Sequence, residues 1–351
     1  MSIGELERRA RQKLPEPVFD FIAAGAGGES SLRTNEFAWS AWSLVPRALR
    51  GVERASTNTA LQGTEVASPI LLAPAGRQRA IAPDGELAAA RAAASFGTIF
   101  NLATSATTDL HDVARTGAPL WQQLYVSRDR DWTWMILEEA ARVGFSQIVV
   151  TVDRPREAFR PRSARHGGLE LLPPGAEITS HRGDGSTRSS GPGNWDSQLS
   201  WSDIDEIVRR SRIPVAVKGI VHPDDARSAV DAGVSAIVVS NHGGRQIDGV
   251  IPTAVALPEI AQAVNGSIPV YVDGGIRSGG DVFRALALGA SAALIGRPYL
   301  WALASGGSAG VEQLLNSLSD ELAEVMTLMG CETVSDIRAE HVRRAGDKGT
   351  F

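Results

Sequence analysis

Ala236-Ile237-Val238-Val239-Ser240-Asn241-His242-Gly243-Gly244-Arg245-Gln246 starts as an unbroken apolar, β-branched run and ends in a histidine, two glycines and an arginine. A run of this kind reads as a strand covered on both faces, and glycines directly after it let backbone or ligand approach closely. His242 can exchange a proton near neutral pH, and Arg245 offers a planar fork suited to a carboxylate or a phosphate. A histidine standing alone at a strand end is more often structural than catalytic. With an anion-binding side chain three residues on, the pair describes an active site better than a core.

Working outward, the same kind of run recurs at 69–75, 98–103, 120–126, 147–153, 214–220, 236–242, 269–275 and 292–298, each bounded by Gly, Pro or polar residues. Helix-start signals lie between them, among them Pro83-Asp84-Gly85-Glu86, His222-Pro223-Asp224-Asp225 and Ser278-Gly279-Gly280-Asp281. Strand and helix alternating eight times predict an α/β fold, a (β/α)8 TIM barrel. An open doubly wound sheet does not need eight even units, and no G-x-G-x-x-G opens the first helix. Two stretches break the regularity of a single barrel domain spanning 1–351. Residues 1–65 form an N-terminal extension expected to fold as helices with a short strand or loop that plugs or flanks the barrel. A long loop, 154–202, follows the fourth strand and reads as a lid or as disordered surface.

Composition narrows the function. The 351 residues are 43% hydrophobic and 21% charged, enough to bury a large core. A net charge of -5 argues against nucleic acid, whose phosphates require a basic face. The single cysteine, Cys331, precludes an intrachain disulfide and any cysteine-rich metal site, and reads as a structural thiol. No metal centre is expected. The charged start with helical spacing of Ile3, Leu6, Ala10 and Leu14 is unlike a signal peptide, no run of about twenty apolar residues spans a membrane, and the final Gly349-Thr350-Phe351 is not a peroxisomal address. A cytoplasmic enzyme is the expectation.

Active sites of such barrels lie at the C-terminal ends of the strands, so the run ends form one ring. The ring holds Ala73-Pro74-Ala75-Gly76, Thr104-Ser105, Gln123 and Tyr125, Thr151 and Asp153, Lys218, Ser240 and His242 with Arg245, Asp273-Gly274-Gly275 with Arg277, and Gly296-Arg297. Lys218, ending an aliphatic run, needs an anionic or hydrogen-bonding partner. The glycine-arginine clusters after the seventh and eighth strands stand where barrels commonly hold a ligand phosphate. Together these features predict a phosphate-bearing cofactor with its reactive head facing His242.

With these motifs in order, the chain resembles the FMN-dependent α-hydroxy-acid oxidases and dehydrogenases, which oxidise glycolate, lactate and mandelate. Within that family it is most similar to the bacterial hydroxymandelate-oxidase-like members. The resemblance runs through Gln12-Lys13-Leu14-Pro15, Gln122-Gln123-Leu124-Tyr125, Thr151-Val152-Asp153, Leu199-Ser200-Trp201, Val217-Lys218-Gly219, the Ser240 to Gln246 stretch, Val272 to Arg277 and Ile295-Gly296-Arg297-Pro298. It implies FMN as cofactor, a small-molecule substrate, O2 or another electron acceptor, and a homotetramer. It implies that His242 is the base, that Asp153 holds the resulting imidazolium, and that Lys218 lies by the flavin ring where charge gathers on reduction. Arg245 would grip the substrate carboxylate, with Arg160 as a second, movable cation and Tyr125 hydrogen-bonded to the substrate hydroxyl. Ala75, Gly76, Gln123, Thr151 and Ser240 would contact the flavin. Asp273 would meet the ribityl chain and Arg277 and Arg297 the phosphate, with Gly274, Gly275 and Gly296 also in the cofactor site.

Plainer readings remain for some of these: Tyr125 as a packed aromatic, Arg160 as a solvated loop cation, Asp153 as a helix-capping or turn carboxylate. The departures from the family pattern also matter. Phe21, in Phe19-Asp20-Phe21, stands where the family has a tyrosine that donates to the substrate carboxylate, Ala103 replaces a serine near the flavin, and Ser105 replaces a bulky pocket residue. A roomier, more apolar pocket for a bulky or aromatic substrate is the expectation. Five arginines, from Arg154 to Arg165, face only Asp153 and Glu157. They make either a solvated loop or a surface for a larger anionic or carrier-bound substrate. Oxidation of an amine or modified precursor, a flavin isomerisation, and a flavin-binding protein without turnover are the alternatives. A mechanism with a cysteine nucleophile on a loop after a central strand is set aside, since Cys331 is the only thiol.

Overall fold

The structure, a computed structural model, describes residues 2–166 and 194–345. Eight parallel strands close into a barrel: β4 Ile70–Leu72, β5 Phe100–Leu102, β6 Leu120–Leu124, β7 Gln147–Thr151, β8 Val215–Ile220, β9 Ala236–Val239, β10 Val270–Val272 and β11 Ala292–Ile295. They follow chain order around the ring, with β11 paired back to β4. The outer helices are α4 Gly85–Phe96, α5 Leu110–Ala114, α6 Arg130–Arg142, α7 Pro161–Ala164, α8 Trp201–Arg210, α9 Pro223–Asp231, α10 Thr253–Val264, α11 Gly279–Ala287 and α12 Arg297–Met329. Two of the start signals cap as read: Ser278 accepts the Asp281 N–H at the head of α11, and His222 accepts that of Asp224 at the head of α9, whereas Asp84 before α4 makes no side-chain cap. No helix among the described residues is long and apolar enough to cross a membrane.

Except for β8, which continues to the end of its run, the strands are shorter than the apolar runs because the last residues of the run leave the ladder to line the barrel mouth. The 236–242 run, for example, stays in the ladder only to Val239. Within each strand the side chains alternate. Leu71, Ile99, Trp121, Val149, Ala216, Val238, Tyr271, Ala292 and Leu294 form the inner core, while Ile70, Ile148, Val217, Ile237 and Val272 pack outward against the helices. Counting two residues on from the inner positions reaches Ala73, Gln123, Thr151, Lys218, Ser240 and Asp273. The period of a strand therefore delivers six polar or small residues to one end of the barrel, above an aliphatic and aromatic floor.

The N-terminal extension closes both ends. α1 Ile3–Lys13, α2 Glu16–Ala23 and α3 Ser30–Ser40 precede β1 Trp42–Leu44 and the hairpin of β2 Thr59–Leu61 and β3 Thr64–Val66. Leu61 and Val66 join the inner core, and Gln62 accepts the Tyr271 hydroxyl, so the hairpin plugs the end opposite the polar ring. β1 pairs with the late strand β12 Val342–Arg344. At the polar end, Asp248, in the loop after β9, accepts the N–H groups of Gly28 and Ser31 and the Ser30 hydroxyl, and so holds the start of α3. The Ser30 hydroxyl and these N–H groups bring the Asp248 carboxyl down to about 2.

α3 lies directly on the loop after β10. A Cβ on Gly275, whose φ is +82°, would fall 2.1 Å from the Asn35 carbonyl oxygen. Both the left-handed backbone and the contact exclude a side chain. Gly275→Ala is expected to destabilise the protein by about 2–4 kcal/mol in urea unfolding; a loss below about 0.5 kcal/mol would show that α3 is not pressed on this turn.

Candidate functional site

A cleft opens at the polar end of the barrel, lined by strand ends, by Phe21 and Ile22 of α2, and by residues of the segment after β7. At its centre His242, held in a left-handed conformation (φ 58°) by its N–H bond to Ser240 Oγ, places Nδ1 2.8 Å from Asp153 Oδ1. A carboxylate only accepts, so Nδ1 carries the proton and Nε2 presents a lone pair. That lone pair lies 3.5 Å from the Tyr125 hydroxyl. Burial lowers the His242 pKa from its ordinary 6.5, and Lys218 and Arg245 push the same way against Asp153. Burial would raise Asp153, but the His242 ring and the Lys218 ammonium outweigh it and hold the carboxyl below its usual range. Gly219 makes the arrangement possible: a Cβ there would collide with Asp153 Cβ at 2.6 Å.

Lys218 is 4% exposed and donates to Ser240 Oγ at 2.7 Å, with Asp273 Oδ2 at 2.9 Å. Burial disfavours its charge, yet Asp273 and Asp153 outweigh burial and its pKa is raised. Gln123 bridges two strand ends, accepting from the Thr104 N–H and donating to Thr151 Oγ1. Arg245 donates to the carbonyls of Phe21, Ile22 and Ala24, and its guanidinium lies 5.5 Å over the Phe21 ring. Arg297 donates to Ile22, Ala24 and Gly243. Burial, with Arg277 adding, lowers it to about 10. Arg277 reaches outward to Glu36 at 2.7 Å, away from Arg297's partners. Ala75, Gly76, Gly274 and Gly296 line the cleft.

Two of the plainer readings fall here. Arg160 is not a solvated loop cation, since its side chain is only 10% exposed and pairs with Glu157 at 2.8 Å. Asp153 caps no helix and is committed to His242. The hydroxyl missing at Phe21 is not supplied by the other tyrosines: Tyr271 bonds Gln62 and Tyr299 bonds the Ala73 carbonyl, both fully buried. Residues 167–193 of the expected lid lie outside the described residues.

This constellation can be set beside known proteins. The model of the FMN-dependent dehydrogenase family matches residues 10–344. The chain belongs to the FMN-dependent dehydrogenase family. It is 42% identical to 4-hydroxymandelate oxidase of Amycolatopsis orientalis over 96% of this chain and 97% of that one. It is 40% identical to glycolate oxidase 3 of Arabidopsis thaliana, over 99% and 96%. A solved mandelate oxidase with benzoyl-formic acid superposes with a TM-score of 0.90 at 41% identity, covering 97% of both chains.

The residues present fit the family's flavin nucleotide. Seven cations line the cleft against two carboxylates, Glu157 and Asp273. Such an excess in a half-buried cleft calls for anions, which a phosphate and a substrate carboxylate supply. Asp273 Oδ1 is buried with no partner, an acceptor that suits a sugar-like hydroxyl. Sequence reasoning did not reach Trp195, Arg77 and Ile81 in the cleft wall. Trp195 lies across the undescribed loop and arrives through its bridge to Ser127, with its ring centroid 5.4 Å from that of Tyr125. Only Arg77, next to the Ala75-Gly76 pair, had a usable signal.

Lys218 is the charge on which the carboxylates depend. Lys218→Met is expected to destabilise the flavin-free protein by about 3 kcal/mol, since it strands Asp273 and Asp153 in a buried site. Adding Asp273→Asn should recover part of that loss in urea unfolding; simple additivity of the two losses would show that the pair is not coupled.

Proposed function

We propose that this protein is an FMN-dependent oxidase of 2-hydroxy acids, forming the 2-oxo acid, with bulky or aromatic side chains favoured and O2 as electron acceptor. The observation that carries this reading is the neutral His242 Nε2, oriented by Asp153 and facing Tyr125 in a cation-rich cleft. The reading extends to a homotetramer, for which the family resemblance is the support.

Bound FMN supplies the two-electron acceptor for the substrate α-carbon. Arg277, Gly296 and Arg297 would hold its phosphate, Asp273, Gly274 and Gly275 its sugar-alcohol chain, and Ala75, Gly76, Gln123, Thr151, Lys218 and Ser240 its ring system. Arg245 and Arg160 bind the substrate carboxylate, and Tyr125 orients its hydroxyl. His242 accepts the substrate proton at Nε2, and Asp153, already ionised, stabilises the imidazolium through Nδ1–H. Lys218 remains protonated throughout and supplies fixed positive charge where the flavin gains electrons.

The base must be neutral to act, and its pKa lies below 6.5. The rate constant kcat/KM is therefore flat at neutral pH and falls as pH drops through a midpoint below 6.5. Asp153→Asn removes the group that raises that pKa, so the midpoint should move lower still. His242→Gln should keep FMN but slow anaerobic flavin reduction by at least about 100-fold. An unchanged reduction rate returns His242 to a structural role.

Phe21→Tyr places a hydroxyl at the ring beneath Arg245. Binding of small 2-hydroxy acids should tighten by up to about tenfold, roughly 1.4 kcal/mol, with the methyl esters gaining nothing. Equal response of acid and ester, or none, would remove Phe21 from carboxylate recognition.

A further inference from the structure

Arg77 lies in the cleft wall with no role in the chemistry above. Its backbone is left-handed, φ 61°, in a conformation uncommon for a side chain of this size and found disproportionately at functional sites. The Arg77 N–H donates to the Ser105 carbonyl at 3.0 Å, tying it to the position where the chain carries a small residue. Among the described residues its guanidinium makes no hydrogen bond or ion pair. Burial lowers its pKa and Arg154 adds to that, with Glu157 opposing.

The charges around it do not balance. Glu157 lies 2.8 Å from Arg160 and 3.6 Å from Arg154, and is itself 41% exposed. Three guanidiniums thus share one weakly buried carboxylate. Once Arg160 turns to the substrate's α-carboxylate, Arg77 and Arg154 retain one positive charge in excess beside an aromatic wall. Arg154 is fixed there, 4.8 Å over the Tyr125 ring, and the Trp195 ring centroid lies 5.4 Å from that of Tyr125. A substrate side chain lying along Tyr125 and Trp195 therefore ends near two cations that have one half-exposed carboxylate between them.

We propose that Arg77, with Arg154, forms a distal anion subsite, so that the preferred substrate is a 2-hydroxy acid whose side chain ends in a carboxylate or a comparable anion. This deepens the proposed function and rests on its placement of the α-carboxylate at Arg245 and Arg160. The match of an unpaired guanidinium with a carboxylate favours a dianion over a monoanion of similar shape by about tenfold.

The test uses the FMN-loaded protein and unreactive 2-oxo acids, with Kd read from the flavin visible spectrum. Benzoylformate is compared with 4-carboxybenzoylformate, and 2-oxohexanoate with 2-oxoglutarate. In at least one pair the dianion should bind about tenfold more tightly. Arg77→Met should bring that ratio near one, and Arg77→Lys should keep part of it. Equal affinities within both pairs, or a preference that survives Arg77→Met, overturns the subsite. Anaerobic bleaching of the wild-type flavin by mandelate and 2-hydroxyglutarate separates the two levels of the argument. An Arg77-dependent preference without any bleaching supports the subsite and defeats the oxidase reading.

Discussion

Arg245 and Arg297 both dock on the carbonyls of Ile22 and Ala24, at the C-terminal end of α2. The last carbonyls of a helix lack intrahelical partners and carry its negative dipole end, so they are a place where buried guanidiniums can be satisfied. Much follows from that contact. α2 must cover the barrel mouth, which makes Phe21 a wall of the cleft, and α3 must then start where Asp248 can hold it. The carbonyls satisfy hydrogen bonds without cancelling the two charges. The cleft is therefore built positive and remains so until an anion enters.

The part of this arrangement legible in the sequence is the part governed by short-range periodicity. Once 236–242 is read as a barrel strand, alternation alone points Ser240 inward above Val238, and the same count yields Lys218 above Ala216 and Asp273 above Tyr271. His242 and Arg245 follow in the adjoining loop, at a distance in sequence too short to separate them from the strand end. The eight runs reveal the barrel for the same reason. The runs reach past most of the strands because apolar character continues into residues that leave the ladder, as at the end of β9.

What stayed hidden depends on contacts across long separations. Trp195 reaches Tyr125 only because Asp196 and Asn194 bond the backbone at Val126 and Arg128, and because Arg130 holds Asp196 and Asp203. Nothing local to Asn194-Trp195 marks it as a cleft residue. Asp248 is equally silent, since its partners Gly28, Ser30 and Ser31 lie more than two hundred positions earlier. Arg160 was ambiguous because a loop rich in arginines gives no sign of which one is turned inward.

One carboxylate, Asp153, acts on two bases, and the structure determines which of them holds the proton. Lys218 has the higher intrinsic affinity, 10.5 against 6.5 for the imidazole, and a second carboxylate in Asp273. It therefore stays charged, and its charge, with that of Arg245, disfavours a proton on His242. The resting state is a protonated lysine beside a neutral histidine, the distribution a general base requires. The same neighbours act again after proton transfer. The imidazolium forms next to two cations and one carboxylate, so Asp153 stabilises it enough to form, while Lys218 and Arg245 keep its acidity high enough to lose the proton. A more strongly paired histidine would accept the proton readily and return it slowly; the cations around His242 make it a weaker base and a reversible one.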